Sequence, residues 1–176
     1  VIISGRVNGD VFCAAQAINI SGRVSGSIRL LSSDVNLSGT TAGSALVLAQ
    51  NLILTDKGNI GQDLILSSTN ARLNGSVGRD ISAYSQSMEL GGYVGRNVSA
   101  RVMNLTINPS ADVRGDVRYT GNTDAIRMSN SKVSGQVIRT PIMNAPSTGK
   151  SFVAVLVGAI GFMLALLLVS MLSIWA

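Results

Sequence analysis

The chain has 176 residues, and its 14 lysine and arginine residues outnumber its 9 aspartate and glutamate residues, which gives a formal net charge of +5. It contains no histidine and one cysteine. The chain therefore lacks the commonest general base and the imidazole ligands of zinc and iron, and it cannot form an intrachain disulfide. Its basic residues are scattered singly among few aromatics, which argues against a nucleic-acid-binding protein.

A short, mostly apolar phrase occurs eight times along the chain. Each copy has a pair of apolar residues two apart, then a glycine or polar turn, and then a second pair four apart. The copies are Val1, Ile3, Val7 and Val11; Ile18, Ile20, Val24 and Ile28; Val35, Leu37, Thr41 and Ala45; Leu52, Leu54, Ile60 and Leu64; Ala71, Leu73, Val77 and Ile81; Met88, Leu90, Val94 and Val98; Leu105, Ile107, Val113 and Val117; Ile126, Met128, Val133 and Val137. Successive copies are 17, 17, 19, 17, 17, 19 and 20 residues apart.

This period predicts an all-β solenoid over residues 1–140. The period is too short for a helical-hairpin repeat, and it fits a coil of three short strands with tight corners. Apolar and polar residues alternate within each phrase, as in residues 18–21, so one face of each strand points toward the axis. Stacking about eight turns is expected to bury equivalent positions in columns, such as the column that runs from Val1 through Ile18 to Leu52.

Glycines and two insertions mark the corners of the predicted turns. We expect the chain to turn sharply at these glycines, which can adopt a positive φ. Insertions near residues 56–58 and 109–110 lengthen two intervals to 19 residues and are predicted to bulge at a corner without breaking the stack. The corner glycines are Gly5, Gly22, Gly39 and Gly75 in one set, and Gly9, Gly26, Gly43, Gly115 and Gly135 in the other.

A column of polar residues follows the second corner. We predict that these side chains bond the backbone of the turns and remain hydrated, and we assign no catalytic, cofactor-binding or metal-binding residue. Arg79 and Arg96, beside this column, are interpreted as part of the same solvated ladder, and Cys13 as a small inward-facing core residue. The polar column consists of Asp10, Ser27, Ser44, Asp63, Asp80, Asn97, Asp116 and Gln136.

The two ends of the predicted solenoid differ. The first end begins inside a complete repeat, without an initiator methionine or a preceding cap, so we expect either a missing segment or an exposed sheet edge. The residues assigned to this self-association end are Val1, Ile3, Val7 and Val11. At the other end, polar residues 121–124 and Pro141 interrupt the repeat and predict a cap, followed by a linker over residues 141–151.

Residues 152–176 carry no charge and form an apolar run of 25 residues. At about 1.5 Å per residue, a helix of this length extends about 37 Å and can cross a hydrocarbon core of about 30 Å. The sequence therefore predicts one C-terminal transmembrane α-helix, with Lys150 and Trp175 as interface anchors. The small residues assigned to a helix-packing face are Ala154, Gly158 and Gly161.

Three corner segments resemble the bactofilin family, also called polymer-forming cytoskeletal proteins. They are residues 5–11 (GRVNGDV), 22–28 (GRVSGSI) and 113–117 (VRGDV). The resemblance covers residues 1–139 and implies a right-handed triangular β-helix that associates end to end without nucleotide. The end of the solenoid is similar to bacterial members that combine an exported β-helix with membrane helices, which implies a bacterial cell-membrane protein.

We therefore expect a noncatalytic, membrane-anchored scaffold that self-associates or organises envelope proteins. Its expected partners are the lipid bilayer, further copies of itself and other membrane proteins, with no cofactor, nucleic acid or small-molecule substrate. The alternative is an accessory subunit of a larger membrane complex, in which the solenoid caps the assembly and the helix packs against partner helices. A surface module for glycan or peptidoglycan is a third hypothesis, which the few aromatic residues support weakly.

Two indications of membrane topology conflict. Lys132, Arg139 and Lys150 favour a cytoplasmic solenoid under the positive-inside rule, although that rule weakens for large translocated domains. The family resemblance and the missing methionine favour an exported solenoid. We expect an extracytoplasmic solenoid.

Overall fold

A computed structural model describes residues 1–142, which form an all-β parallel solenoid of about eight turns. Most turns combine one ten-residue strand with one two-residue strand. The strands are β1 (Ile2–Ile3), β2 (Arg6–Val7), β3 (Val11–Ile20), β4 (Arg23–Val24), β5 (Ile28–Leu37), β6 (Thr40–Thr41), β7 (Ala45–Leu54), β8 (Asn59–Ile60), β9 (Leu64–Leu73), β10 (Ser76–Val77), β11 (Ile81–Leu90), β12 (Tyr93–Val94), β13 (Val98–Ile107), β14 (Asp112–Val113), β15 (Val117–Thr120), β16 (Ile126–Arg127), β17 (Lys132–Val133) and β18 (Val137–Thr140).

Each turn pairs in parallel with the next, and the strands form two sheets. The first sheet has the order β1-β3-β5-β7-β9-β11-β13-β15-β18, with β16 also paired to β13. The second has the order β2-β4-β6-β8-β10-β12-β14-β17. Because the sequence period equals the length of one turn, equivalent positions lie opposite each other, as Ile18 lies opposite Val35 and Val35 opposite Leu52. The predicted sequence repeat therefore sets the register of strand pairing in both sheets.

The ten-residue strands bend near their middle without leaving the sheet. In β7 the buried positions are Ala45 and Val47 before the bend and Leu52 and Leu54 after it, so the alternation changes phase between them. The sixth residue of the strand, Gln50 in β7, has no paired partner in either neighbouring strand. The sequence predicted three short strands per turn; the structure has one long and one short strand because the chain stays extended through this corner.

The core is one continuous stack of apolar columns. Val24, Ile28, Val47 and Leu64 are completely buried, and the same columns continue through all the middle turns. Val1 departs from the expected burial, since 58% of its surface is exposed. It has a neighbouring turn on one side, so its column is buried only from Ile18 onward.

The corner glycines are required for a different reason from the one predicted. Among the glycines of residues 1–142, only Gly9 has a positive φ, of 131°. Apart from Gly5, which has open space around an added Cβ, the others lie where stacked turns approach closely: a Cβ added to Gly39 would collide with the carbonyl oxygen of Gly22, and one added to Gly92 with that of Gly75. Close backbone contact, more than a special dihedral angle, therefore selects glycine at these corners.

The two predicted insertions form turns at one corner, as expected. The Gly58 N–H donates to the Thr55 carbonyl at 2.9 Å, and the Ala111 N–H donates to the Asn108 carbonyl at 3.1 Å. A third turn of this kind occurs in the last repeat, where Asn130 has a φ of 70°. The stack continues past all three, so the extra residues are accommodated outside the ladder of strands.

The register predicted for the last repeat is wrong by one residue in its first pair. Ile126 lies opposite Thr106 and Arg127 opposite Ile107, so Ile126 and Met128 do not occupy the core columns of Leu105 and Ile107. Both side chains are exposed. One extra residue before β16 shifts the register, and the turn after β16 adds two more, which together explain the final interval of 20 residues.

In the part of the chain that the structure describes, no helix is long and apolar enough to cross a membrane. The predicted transmembrane helix over residues 152–176 lies outside the described residues, as does most of the predicted linker. The assigned anchors and packing residues also lie there: Lys150, Ala154, Gly158, Gly161 and Trp175.

Candidate association surfaces

The predicted polar column is a hydrogen-bonded ladder along the solenoid. In each of the first seven members, a side-chain oxygen accepts a hydrogen bond from the backbone N–H of the equivalent residue in the next turn. The bonds run from Ser27 N–H to Asp10 (2.7 Å), Ser44 to Ser27 (3.2 Å), Asp63 to Ser44 (3.4 Å), Asp80 to Asp63 (3.3 Å), Asn97 to Asp80 (3.0 Å), Asp116 to Asn97 (3.0 Å) and Gln136 to Asp116 (2.9 Å). The prediction that this column bonds the turn backbone is confirmed.

Arginine side chains on the solvent side form ion pairs with aspartates of this ladder. Arg79 lies 3.4 Å from Asp63, Arg96 lies 3.9 Å from Asp80, and Arg118 lies 2.7 Å from Asp116. Each arginine in these pairs is largely exposed, so each pair contributes little to stability by itself.

The first member of the ladder, Asp10, is held ionised by its neighbours. The Ser27 backbone N–H, and after it the Arg29 guanidinium at 3.4 Å, hold the pKa of the Asp10 carboxyl below its usual value. Both bonds are stronger to the ionised carboxylate, which is why they favour that form. Asp10 therefore acts as an acceptor in the stack.

Cys13 lies in the column of Leu30, Val47 and Leu66, as its spacing predicted. It is half-buried and packs against the core. Its neighbours in the sheet are apolar, which is the environment of a packing residue.

The assigned self-association end is the first turn of the described residues, which pairs with the second turn on one side. Val1, Ile3 and Val7 use their carbonyls to accept hydrogen bonds from the second turn at 2.9 to 3.0 Å. In a parallel ladder, successive residues direct their backbone groups to opposite sides, so the N–H and C=O of Ile2 face away from the second turn. Ile3 and Val7 are half-buried and Val11 is buried, so this edge is also apolar.

The last turn places arginines where earlier turns have core residues. Arg127 occupies the column of Ile107, and Arg139 occupies the column of Tyr119. The Arg127 Nε donates to Ser131 Oγ at 3.0 Å, and Arg139 Nη1 lies 3.2 Å from the carboxylate of Asp124. Charged groups at an edge oppose the addition of another strand.

Tyr119, in the turn before, contributes hydrogen bonds to this end of the described solenoid. Its hydroxyl accepts a hydrogen bond from the Ala125 N–H at 2.7 Å, and the Thr123 hydroxyl donates to the Met103 carbonyl at 2.7 Å. These bonds fix the polar segment that the sequence predicted as a cap. The position of Arg127 was not predicted, because the register of the first pair in this repeat was misread by one residue, whereas the register at Arg139 was correct.

A polar groove follows one face of the middle turns. The Asn51 side-chain amide donates to Asp34 at 2.8 Å, and the Asn70 amide donates to Asn51 at 3.0 Å. Beside them, Arg72 Nε donates to Glu89 at 2.9 Å, which lowers the pKa of Glu89 and raises that of Arg72. The groove encloses about 440 Å³. Its polar groups largely bond one another, which leaves few directed contacts for a ligand.

Within residues 1–142, no group of three or more histidine, cysteine, aspartate or glutamate side chains is arranged to hold a metal ion. Comparisons with protein-family models, with curated proteins and with solved structures found no match to this chain. The surfaces that distinguish this solenoid are therefore its two unlike ends, its polar ladder and its outward strand faces.

Proposed function

We propose that this protein is a noncatalytic, membrane-anchored scaffold that self-associates through the first turn of its solenoid. The observation that carries the proposal is the difference between the ends. Ile3, Val7 and Val11 give the first turn an apolar edge, whereas Arg127 and Arg139 occupy core columns of the last turn. An apolar edge with unfilled backbone positions can accept a strand from another chain.

The rest of the proposed architecture follows the bactofilin resemblance. The coil is right-handed and triangular, and residues 152–176 form the membrane anchor of a bacterial cell-membrane protein. The solenoid lies on the extracytoplasmic side. Protease accessibility of the solenoid in intact cells tests this topology: cleavage supports it, and protection contradicts it.

A matched pair of substitutions tests the self-association end. Val7 and Val133 belong to the same column and are both half-buried, one in the first turn and one in the last. Val7→Lys in the full-length chain is expected to shift the assembly in detergent toward smaller species, because a charge enters the open edge. Val133→Lys is expected to leave assembly size unchanged.

Light scattering coupled to size-exclusion chromatography measures these sizes, and circular dichroism checks that each variant keeps its β-structure. A full-length chain that stays monomeric at every concentration, with no copurifying partner, contradicts the scaffold proposal. Equal effects of Val7→Lys and Val133→Lys contradict the assignment of the first end.

The second candidate function is an accessory subunit of a larger membrane complex. The observation that favours it is the spacing of Ala154, Gly158 and Gly161, which suits close packing between membrane helices. Replacing Gly158 and Gly161 with leucine is expected to release the protein from its partners during copurification. Retention of the partners counts against this interface.

A further inference from the structure

The outward side of the first sheet carries an exposed apolar patch. We call the apolar face the large apolar side chains, 37% to 83% exposed, that point outward before the bend in four adjacent strands, β3, β5, β7 and β9. They are Phe12, Leu31, Leu46, Leu48 and Ile65. Strand pairing places them in two neighbouring columns, one containing Phe12, Leu46 and Ile65 and the other containing Leu31 and Leu48. A contiguous patch of this kind commonly marks an interaction site.

The aliphatic part of the apolar face ends partway along the solenoid. Beyond β9 the same two columns present Ser82, Tyr84, Ser99 and Arg101, so the contiguous aliphatic patch ends there, with the exposed Tyr84 adjoining it. Most inward columns stay buried past this point, although Ala83 is half-buried where Leu66 is buried. The core therefore continues while the outer surface changes.

One charged residue lies within the apolar face, and it is neutralised. Arg29 occupies the column between Phe12 and Leu46 and lies 3.4 Å from Asp10. An ion pair at the centre of the patch opposes burial in lipid hydrocarbon, where charged groups are costly. Arginine and aromatic residues are instead enriched in protein interfaces, so the composition of this face favours a protein partner.

The two columns are complementary in size to each other. Within single turns, Phe12 is beside the small Ala14, Ile65 beside Ser67, and Tyr84 beside Ser82. A two-fold axis parallel to the solenoid, placed between the columns, would set Phe12, Ile65 and Tyr84 over the small residue of the same turn in a second copy. In the two turns between Phe12 and Ile65, Arg29 would face Leu31 and Leu46 would face Leu48 of that copy. Facing layers pack best when large and small residues alternate in this way.

We infer that the apolar face binds the same face of a second copy, with the two solenoids parallel and their turns in register. A two-fold axis makes such an interface self-complementary. At roughly 100 Å² for each large apolar side chain, two facing patches bury on the order of 1,000 Å², which reaches the lower limit of specific interfaces. This pairing extends the proposed self-association sideways and does not use the first-turn end.

Cross-linking between two differently tagged full-length chains tests the pairing in isolated membranes. Both chains carry Cys13→Ala, and one carries Leu46→Cys while the other carries Leu48→Cys. Because packed sheets lie about 10 Å apart, a short bis-maleimide can join facing residues. The expected result is a cross-linked heterodimer that is lost when Leu31→Lys is added to both chains.

Two matched controls keep the result specific. Asn59→Cys, an exposed site on the second sheet, is expected to give no cross-linked dimer. Ile53→Lys changes another exposed apolar residue outside the face and is expected to leave the Leu46–Leu48 cross-link intact. Loss of the cross-link in the Ile53→Lys chain would overturn the inference.

Three further outcomes overturn the parallel pair. They are a stronger cross-link between Leu31→Cys and Leu48→Cys, which indicates antiparallel copies; no cross-link in either combination; and labelling of Leu46→Cys only by a membrane-dissolved maleimide, which places lipid on the face.

Association through the first turn is measured separately. If the face cross-link is absent while Val7→Lys still reduces assembly size, only the lateral pairing is contradicted. If the face cross-link forms and Val7→Lys has no effect on assembly size, only association through the first turn is contradicted.

Discussion

The first and last turns of this solenoid have the same backbone pairing but opposite side-chain chemistry. The first turn keeps Ile3 and Val7 in the core columns and leaves its outer edge apolar. The last turn has Arg127 and Arg139 in the columns of Ile107 and Tyr119 and binds them locally through Ser131 and Asp124. A parallel stack has no intrinsic stopping point, so the residues that enter the core columns decide which end can extend.

The sharpest stability contrast lies at one glycine corner. Gly39→Ala is expected to lower the free energy of unfolding by about 3 kcal/mol, because its Cβ would overlap the backbone of the turn before it. Gly5 occupies the same corner in the first turn and has open space around the added atom, so Gly5→Ala is expected to be nearly neutral. Chemical denaturation of both variants measures the difference. Equal losses would show that a turn of another chain already covers the outer side of the first turn.

A core column gives the next largest contrast. Val24 is completely buried, whereas Val7, its neighbour in the column, is half-buried. Val24→Ala is expected to lower the free energy of unfolding by about 2 kcal/mol through the cavity that it creates, and Val7→Ala by clearly less. Thermal unfolding at low protein concentration compares them. A Val7→Ala loss as large as that of Val24→Ala would contradict an open first edge.

Reversing the chemistry of the last turn tests whether its arginines oppose association there. The double variant Arg127→Ile and Arg139→Tyr restores the residues of the preceding turn in both columns. It is expected to promote concentration-dependent association at the last turn, which sedimentation velocity detects. Asp124→Ala removes one exposed ion pair and is expected to cost about 1 kcal/mol or less. Unchanged sedimentation of the double variant would mean that the arginines do not close this end.

The smallest expected effect is a dependence on pH. The Ser27 N–H, and after it Arg29, lower the pKa of Asp10, and Arg72 lowers that of Glu89. Each carboxylate therefore contributes stability above its ordinary pKa and loses it as the pH falls through its lower folded-state pKa. Melting temperatures between pH 5 and pH 2 are expected to fall slightly less for Glu89→Gln than for the wild type. An identical decline would show that the Arg72–Glu89 pair contributes nothing.

Sequence periodicity was sufficient for the repeat, the columns and the polar ladder because each depends on spacing that recurs in every turn. It failed where the repeat changes. The shift at Ile126 depends on one added residue, and apolar residues happened to occupy the wrong columns there. The reason for the corner glycines was also missed, because close contact between stacked turns cannot be recognised from the residues of one repeat. The apolar face was not predicted, although the large side chains of Phe12 and Leu31, at positions where alternation predicts polar residues, were a signal for it.

Hydrogen–deuterium exchange of the full-length chain at several protein concentrations tests the central claim most directly. If the first turn is the associating end, amides in residues 2–9 become more protected as concentration rises, while those in residues 126–140 exchange at an unchanged rate. Greater protection of residues 126–140, or no concentration dependence at either end, would contradict the account.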